Sequence, residues 1–467
     1  MGVQLLAFAG LAVSAYLILL VPDRWALFFT FLYIGLEGFF KVISNYHPVV
    51  HVGSDVVVIM LCLKVLYRIF FQGITLKEKP PFLPLFLIHF AWLAIVLLNP
   101  FALSLVSSIA GAKIYVTMIL LYFFGFYLTE KEEDVRFFMI PFIIVGILHT
   151  VTGLVQGFIG PESVLLMHPR YAVQLSKYQD VAFRPFGLTN LPGGPSVYLH
   201  EIYPFLLYFM FHLRSYFAKL SVLLFLPFTT FLFFLCQIRS AMLKMIVGSS
   251  LFLLGSIHIA SKISARMTQG LMAFGALAGA ILFLTLPDFM DASVEARTEN
   301  QAAIDRSLSL FDYETVTNAR RGAWDRFAIY VKEVPLGAGF SRVGAAAGAF
   351  KDLHQADTIF GFKHFFSDNF WITTLIEIGL PGMVIMTLLL LMILGRGIRQ
   401  YFNIEDLSLK TMHLAVLCSL IAIFIGLYGA EGVLYNPESS FFWFFAGVLM
   451  KIPKLEKKAT IIANESF

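Results

Sequence analysis

The chain contains few cysteines and few charged residues. Three Cys occur in 467 residues, and Asp, Glu, Lys and Arg together make up 14% of the chain. A soluble domain carries roughly 25% charged residues. Cys62, Cys236 and Cys418 each lie within an apolar run, so we expect small core residues and neither a disulfide framework nor a cysteine metal site. The net charge of +4 is small for this length and argues against a nucleic-acid-binding protein.

The short motifs of several enzyme classes are also missing. The sequence has no HExxH zinc motif, no Walker A phosphate loop and no CxxC pair. No DxD-type acidic pair of the kind used by metal-assisted nucleotide-sugar transferases lies in a predicted outer loop. We therefore expect neither a metal nor an organic cofactor.

Long apolar runs are what the chain has in abundance. Hydrophobic residues make up 58% of it, and the mean hydropathy is +0.80. Runs of about 18–20 apolar residues indicate helices that cross a bilayer. The pattern predicts an all-α polytopic membrane protein with about 12–13 transmembrane helices, the last being short. The predicted spans are 3–20, 25–44, 55–72, 82–98, 113–129, 136–159, 195–212, 220–237, 240–260, 268–286, 369–394, 411–429 and 438–450.

The basic residues of the short connections predict the orientation of these spans. Alternate connections near 45–54, 99–112 and 430–437 carry no Lys or Arg, whereas the others are basic. Because positive charge marks cytoplasmic loops, the tail 451–467 is predicted to be cytoplasmic. The expected divisions are a membrane domain 1–286 with a smaller outer loop at about 160–194, a large outer loop 287–368 between spans 10 and 11, and C-terminal membrane helices 369–450.

The large outer loop has helical patterns of its own. Trp324, Phe327, Ala328 and Val331 recur at i, i+3, i+4 and i+7, which predicts one apolar helical stripe. The turn that begins at Pro335 ends this helix, and residues 291–311 form a second, more polar helix candidate. We expect the loop to form a small helical cap over the membrane domain.

Arginines on the predicted outer face are candidates for binding an anionic substrate. Arg239 begins a span, Arg320 and Arg321 begin the cap helix, and Arg184 lies between aromatic residues in the smaller loop. The planar guanidinium group suits phosphate oxygens, so Arg239, Arg321 and Arg184 could hold a diphosphate. The alternatives are snorkelling to headgroups for Arg239 and ordinary solvated positions for the others.

Asp368 is the best candidate for a general base. It lies where the large loop re-enters the membrane, and partial desolvation there suits a proton acceptor. The alternative is helix capping, since Asp368 or Asn369 could each cap the span that follows. His364 is the second candidate base, and Glu377 lies further along the same span.

Several charged residues fall inside apolar spans, where such residues are functional candidates by default. Glu37 and Lys41 are spaced i,i+4 and are expected to pair with each other as a structural tie. Glu201, beside His200 in the seventh span, has no evident partner in the sequence.

At these positions the chain resembles the O-antigen ligase and polysaccharide polymerase superfamily. Four pieces occur in the family's order between about 180 and 395. They are Gln237-Ile238-Arg239-Ser240-Ala241, Arg321 with Trp324, Pro335-Leu336-Gly337-Ala338-Gly339-Phe340, and Asp368-Asn369 followed by Glu377-Ile378-Gly379-Leu380-Pro381-Gly382. The last piece is the most specific.

The resemblance implies a helical, C-type glycosyltransferase-like enzyme of the bacterial inner membrane that needs no metal. Its donor would be an undecaprenyl-diphosphate-linked glycan bound on the periplasmic face. The family's arginines correspond to Arg239 and Arg321 and would bind the diphosphate. The acceptor would be another lipid-linked glycan, and a chain-length regulator is an expected partner.

The sequence departs from the ligases at the closing motif. Ligases carry a His before the Asn, whereas this chain has Asp368, which favours a polymerase that joins repeat units of O-antigen, capsule or exopolysaccharide. The alternatives are an O-antigen ligase that transfers glycan to lipid A-core, and a transporter or flippase for lipid-linked glycans. Against the transporter, the unusual polar residues concentrate on one face and the longest loop is outside the membrane.

Overall fold

A computed structural model describes residues 2–73, 78–176, 183–213, 215–260, 324, 327–343, 347 and 369–465. All regular structure in these ranges is helical, and no strand occurs in them. The helices are α1 (Gly2–Leu20), α2 (Asp23–Ile43), α3 (Pro48–His51), α4 (Gly53–Phe71), α5 (Leu83–Leu97), α6 (Leu105–Val116), α7 (Leu120–Tyr127), α8 (Glu132–Ile159), α9 (Pro161–Met167), α10 (Tyr171–Ser176), α11 (Gly194–His212), α12 (Tyr216–Cys236), α13 (Arg239–Ala260), α14 (Phe327–Glu333), α15 (Phe370–Asn403), α16 (Leu407–Gly426) and α17 (Glu438–Glu465).

The described helices are those of a polytopic helical membrane protein. Seven helical segments are long and apolar enough to cross a membrane, and two shorter apolar helices, Phe8–Leu20 and Leu83–Leu97, accompany them. The seven segments are Asp23–Ile43, Leu105–Tyr127, Glu132–Ile159, Tyr216–Cys236, Arg239–Ile257, Phe370–Asn403 and Leu407–Gly426.

The last predicted span, 438–450, was expected to be short, but its helix continues to Glu465. The predicted span at 113–129 also differs in its structure. Two helices occupy this region, and the first begins at Leu105 because Ser104 and Ser107 form a capping box there. A short break separates α6 from α7. The prediction was wrong in its start because residues 99–112 were assigned to a loop. The predicted span 268–286 and the helix candidate 291–311 lie outside the described residues.

Helix α17 is central to the packing of the membrane domain. Its segment Phe441–Met450 is fully buried, and it packs against α7. Two glycines let the backbones approach: a Cβ on Gly125 would lie 2.1 Å from Phe444 O, and one on Gly447 would lie 2.0 Å from Tyr122 O. Small residues at such crossings are typical of membrane helices.

A second bundle of α11, α13, α16 and α17 adjoins this crossing. Cys236 and Cys418 are buried in the core and Cys62 is half-buried, and all three are free thiols. The predicted core position is therefore confirmed for Cys236 and Cys418, whereas Cys62 is only partly buried.

The buried face of α14 differs from the predicted one. Ala328 is exposed, whereas Tyr330 and Val334 are buried and pack against Ile372 and Ile376 of α15. The predicted stripe was wrong at Ala328 because the helix turns its larger side chains, spaced i and i+4, toward α15. The predicted end of the helix before Pro335 is confirmed.

Candidate functional site

Two of the four motif segments, 335–340 and 377–382, pack directly against each other. Helix α15 is interrupted at Gly379, which has φ 71° and ψ 175°. The turn containing Gly337, with φ 87°, docks into this interruption. A Cβ on Gly379 would lie 2.3 Å from Leu336 C, and one on Gly337 would lie 2.6 Å from Gly379 N. Both positions require glycine, because each combines a positive φ with a backbone contact.

Hydrogen bonds replace those that the helix loses at this break. Ala338 N donates to Ile376 O at 2.6 Å, and Leu380 N donates to Pro335 O at 2.9 Å. Trp92 Nε1 of α5 donates to Ile378 O at 2.8 Å. Irregular backbone at membrane depth persists only where its polar groups are satisfied by protein or water, and here the turn and α5 satisfy them.

Glu377 joins three segments from within this junction. Its Oε2 accepts from Tyr115 Oη at 2.8 Å, and its Oε1 accepts from Arg342 N at 3.1 Å and Val343 N at 3.4 Å. The side chain is buried. With all of these donors in place, Glu377 positions the turn that contains Gly337 and the residues that follow it.

Arg342 has a similar positioning role. Its Nε donates to Ala338 O at 3.2 Å, and its guanidinium also bonds Phe101 O in the connection between α5 and α6. Only 2% of the residue is exposed. These contacts tie the Gly337 turn to the connection between α5 and α6.

Asn369 fixes the start of α15. Its Oδ1 accepts from Trp371 N at 3.0 Å and Ile372 N at 3.3 Å, which is the N-cap arrangement. Its Nδ2 donates to Tyr428 O at 2.8 Å, and Phe370 N donates to Ala430 O at 3.2 Å. The capping interpretation is confirmed for Asn369. Asp368 lies immediately before this anchored point.

Trp324 contacts the same residue, Tyr428, to which Asn369 donates a hydrogen bond. Its ring stacks on Tyr428, with 5.5 Å between centroids and 15° between planes. Tyr428 therefore contacts Trp324 through its ring and Asn369 through its carbonyl. The Arg-x-x-Trp and Asp-Asn pieces, separate in sequence, meet on one residue.

The segment containing Arg184 is held by α8. Gln156 Oε1 accepts from Phe186 N at 2.8 Å and Gly187 N at 2.6 Å. The end of this loop packs on the turn between α12 and α13, where a Cβ on Gly193 would lie 2.8 Å from Cys236 O. Arg184 is half-buried.

Arg239 begins α13 directly after this turn and is half-buried. Five residues further along, the Lys244 side chain runs along the end of α16, where a Cβ on Gly426 would lie 2.0 Å from Lys244 Cε. Tyr428 follows that end by two residues. Arg239 and the Trp324–Tyr428–Asn369 contact are thus at the same end of the bundle.

Four of the predicted site residues lie outside the described residues: Asp368, His364, Arg320 and Arg321. Asn369 directly follows Asp368 in the sequence, and Trp324 follows Arg321 by three residues.

Reasoning from the sequence missed Tyr115, Arg342, Lys244 and Glu438. A lysine inside an apolar span is a detectable signal, and Lys244 is one. Within the part of the chain that the structure describes, one group of side chains is close enough to hold a metal ion: His200, Glu201 and Glu438.

A scan against protein-family models finds no match, and a search of curated proteins finds none either.

Proposed function

We propose that this protein is a polymerase that joins undecaprenyl-diphosphate-linked repeat units into a polysaccharide on the outer face of the inner membrane. The observation that carries the proposal is the contact of Trp324 and Asn369 on Tyr428. It brings together Trp324, three residues after Arg321 in the sequence, and Asn369, directly after Asp368, at the end of the bundle where α13 begins with Arg239.

The proposed reaction is a glycosyl transfer without a metal in the chemistry. A hydroxyl oxygen of the acceptor sugar attacks the anomeric carbon of the donor glycan. The bond from that carbon to the diphosphate breaks, and undecaprenyl diphosphate leaves with the bonding pair. Asp368 accepts the hydroxyl proton, with His364 as the second candidate. Arg239, Arg321 and Arg184 hold the diphosphate and stabilise the charge that it gains.

The anchoring contacts support these roles. Positioning within fractions of an ångström is a large part of catalysis. Asn369, capped onto α15 and bonded to the Tyr428 carbonyl, fixes the chain next to Asp368. Gln156 does the same for the Arg184 segment.

Purified protein incubated with lipid-linked repeat units tests the proposal. The natural chain should yield a ladder of joined units. Arg239→Ala should lower the rate about 10- to 150-fold, the cost of one charge-assisted bond to phosphate. Asp368→Ala should leave single units. Arg399→Ala, an exposed arginine near the opposite end of α15, is the matched control and should retain the ladder.

Three results would count against the polymerase. Normal ladders from both the Arg239 and Asp368 variants would remove the proposed roles. Transfer of preformed polymer to a different acceptor, without joining of repeat units, would identify a ligase. Movement of lipid-linked glycan across vesicles without any new glycosidic bond would identify a transporter.

A further inference from the structure

A cluster of ionisable side chains lies inside the membrane domain, beneath Arg239. His200 and Glu201 project from α11, Lys244 from α13 and Glu438 from the start of α17. Each is at most 3% exposed. Lys244 follows Arg239 by five residues, so the cluster lies roughly 7.5 Å further along the helix axis. The proposed reaction uses none of these four groups.

Several hydrogen-bond acceptors in this cluster have no donor. Glu201 Oε1, Glu201 Oε2, Glu438 Oε2 and His200 Nε2 are buried, and none makes a hydrogen bond. His200 Nε2 lies 3.4 Å from Glu438 Oε1. His200 Nδ1 lies 3.3 Å from Ser196 O. Since a carbonyl can only accept, Nδ1 carries the proton and Nε2 presents a lone pair. Unpaired buried acceptors are costly, and carboxylates most of all.

Lys244 satisfies only part of this set. Its ammonium bonds Glu438 Oε1 and leaves the other Glu438 oxygen free. One ammonium also faces two carboxylates, so the cluster as it stands is short of positive charge. Buried charges in proteins are paired or coordinate metals.

We propose that His200 Nε2, one Glu201 oxygen and one Glu438 oxygen bind a divalent metal ion of the zinc class. One ligand atom from each of the three residues lies within 4.8 Å of the others. Bonds of about 2.0–2.2 Å to such an ion place its ligands about 3.3–3.6 Å apart in a tetrahedron. Small side-chain movements would therefore bring the three ligand atoms to bonding distance of one ion.

The donor types and their supports fit this ion. Imidazole with carboxylates suits zinc and neighbouring transition metals better than Mg²⁺ or Ca²⁺. Metal-binding histidines characteristically donate their second N–H to a carbonyl, as His200 does to Ser196 O. Lys244 bonds Glu438 Oε1, and Ser419 Oγ donates to the backbone carbonyl of Glu201 at 2.9 Å. The ion would join α11 to α17, with α13 and α16 as supports.

The metal content of the purified protein tests the site. The protein carries a tag without histidines, because a polyhistidine tag binds the same ions. The natural chain should contain about one ion per chain after extensive dialysis. Glu201→Gln and Glu438→Gln should each lose it. Glu377→Gln is the matched control, since Glu377 is as buried but already accepts three hydrogen bonds, and it should retain the ion.

A spectroscopic measurement does not depend on how well the variants fold. Natural chain produced in Co²⁺-containing, zinc-depleted medium should show visible absorption bands of four-coordinate Co²⁺. Natural chain without bound metal, or Glu201→Gln with unchanged metal content, would overturn the proposal. A metal-free natural chain that Glu201→Gln stabilises would identify a buried proton as the occupant instead, and would equally overturn it.

Discussion

At the scale of single residues, buried polar side chains hold together segments that are far apart in sequence. Glu377 accepts from Tyr115, 262 positions away, and Trp92 donates to Ile378 across 286 positions. In a membrane, a buried polar group without a partner is costly. These bonds therefore select one arrangement of the helices as well as stabilising it.

Removing either partner of the Glu377–Tyr115 bond should destabilise the protein. Glu377→Gln replaces a carboxylate oxygen with an amide N–H that faces a donor, at a cost of about 1–3 kcal/mol, and Tyr115→Phe should cost about 1 kcal/mol. Thermal unfolding in detergent measures both. Glu333→Gln, at the exposed end of α14, is the control. Unchanged unfolding midpoints in both variants would contradict the bond.

Substitutions at Asn369 separate its two contacts. Asn369→Ala loses the N-cap and the bond to Tyr428 O, and should cost about 0.5–2 kcal/mol. Asn369→Asp retains the capping oxygen and loses the amide donor, so it should recover part of that stability. In the same unfolding assay, the natural chain should be the most stable, Asn369→Asp should be intermediate and Asn369→Ala should be the least stable. Equal stability of the Asp and Ala variants would rule out the capping role.

Residue identity alone could predict some of these roles. The Asn369 cap followed from its position before an apolar run, and Glu37 and Lys41 were predicted to pair because of their spacing, which a 3.3 Å contact confirms. The partners of Glu377 could not be found this way. Tyr115 lies on α6, and Arg342 and Val343 lie in the turn after α14; nothing in local spacing encodes which of these segments meet.

At the scale of elements, the broken helix α15 is the feature with the clearest physical cause. Gly379→Ala should be strongly destabilising, since it combines a left-handed φ costing about 1–3 kcal/mol with an overlap against Leu336. Gly395→Ala on the same helix is the matched control. Nothing lies within 4 Å of its Cβ, and alanine favours the helix by about 1 kcal/mol.

Protease resistance and the yield of folded protein measure both glycine variants. Gly379→Ala should lower both quantities and Gly395→Ala should lower neither. Equal behaviour of the two would mean that the turn at Gly337 does not dock into α15 as described.

The positions of the helices were largely predictable from apolar runs. The faces that the helices bury and the points where they start or are interrupted were not. α8 and α11 begin within a few residues of the predicted spans because charge and proline mark their starts. α6 begins earlier than predicted because serines cap it. Ala328 of α14 is exposed because the larger side chains of Tyr330 and Val334 pack against α15.

At the scale of the whole molecule, the orientation remains a prediction with a direct test. The three native cysteines can be replaced by alanine, and single cysteines introduced at Glu162 and Gln72, both exposed. A membrane-impermeant maleimide added to spheroplasts should label Glu162→Cys and not Gln72→Cys. After permeabilisation it should label both. The reverse pattern would place the arginines of the proposed site on the cytoplasmic face.

The Gly337 turn and the start of α15 are each tied to the membrane domain, the first through Arg342 and Gly337 and the second through Asn369. The chain that links them therefore begins and ends at anchored backbone, and it carries both candidate bases of the proposed reaction, His364 and Asp368. Chimaeras that exchange the rest of this link, and keep both anchors and both candidate bases, should therefore fold.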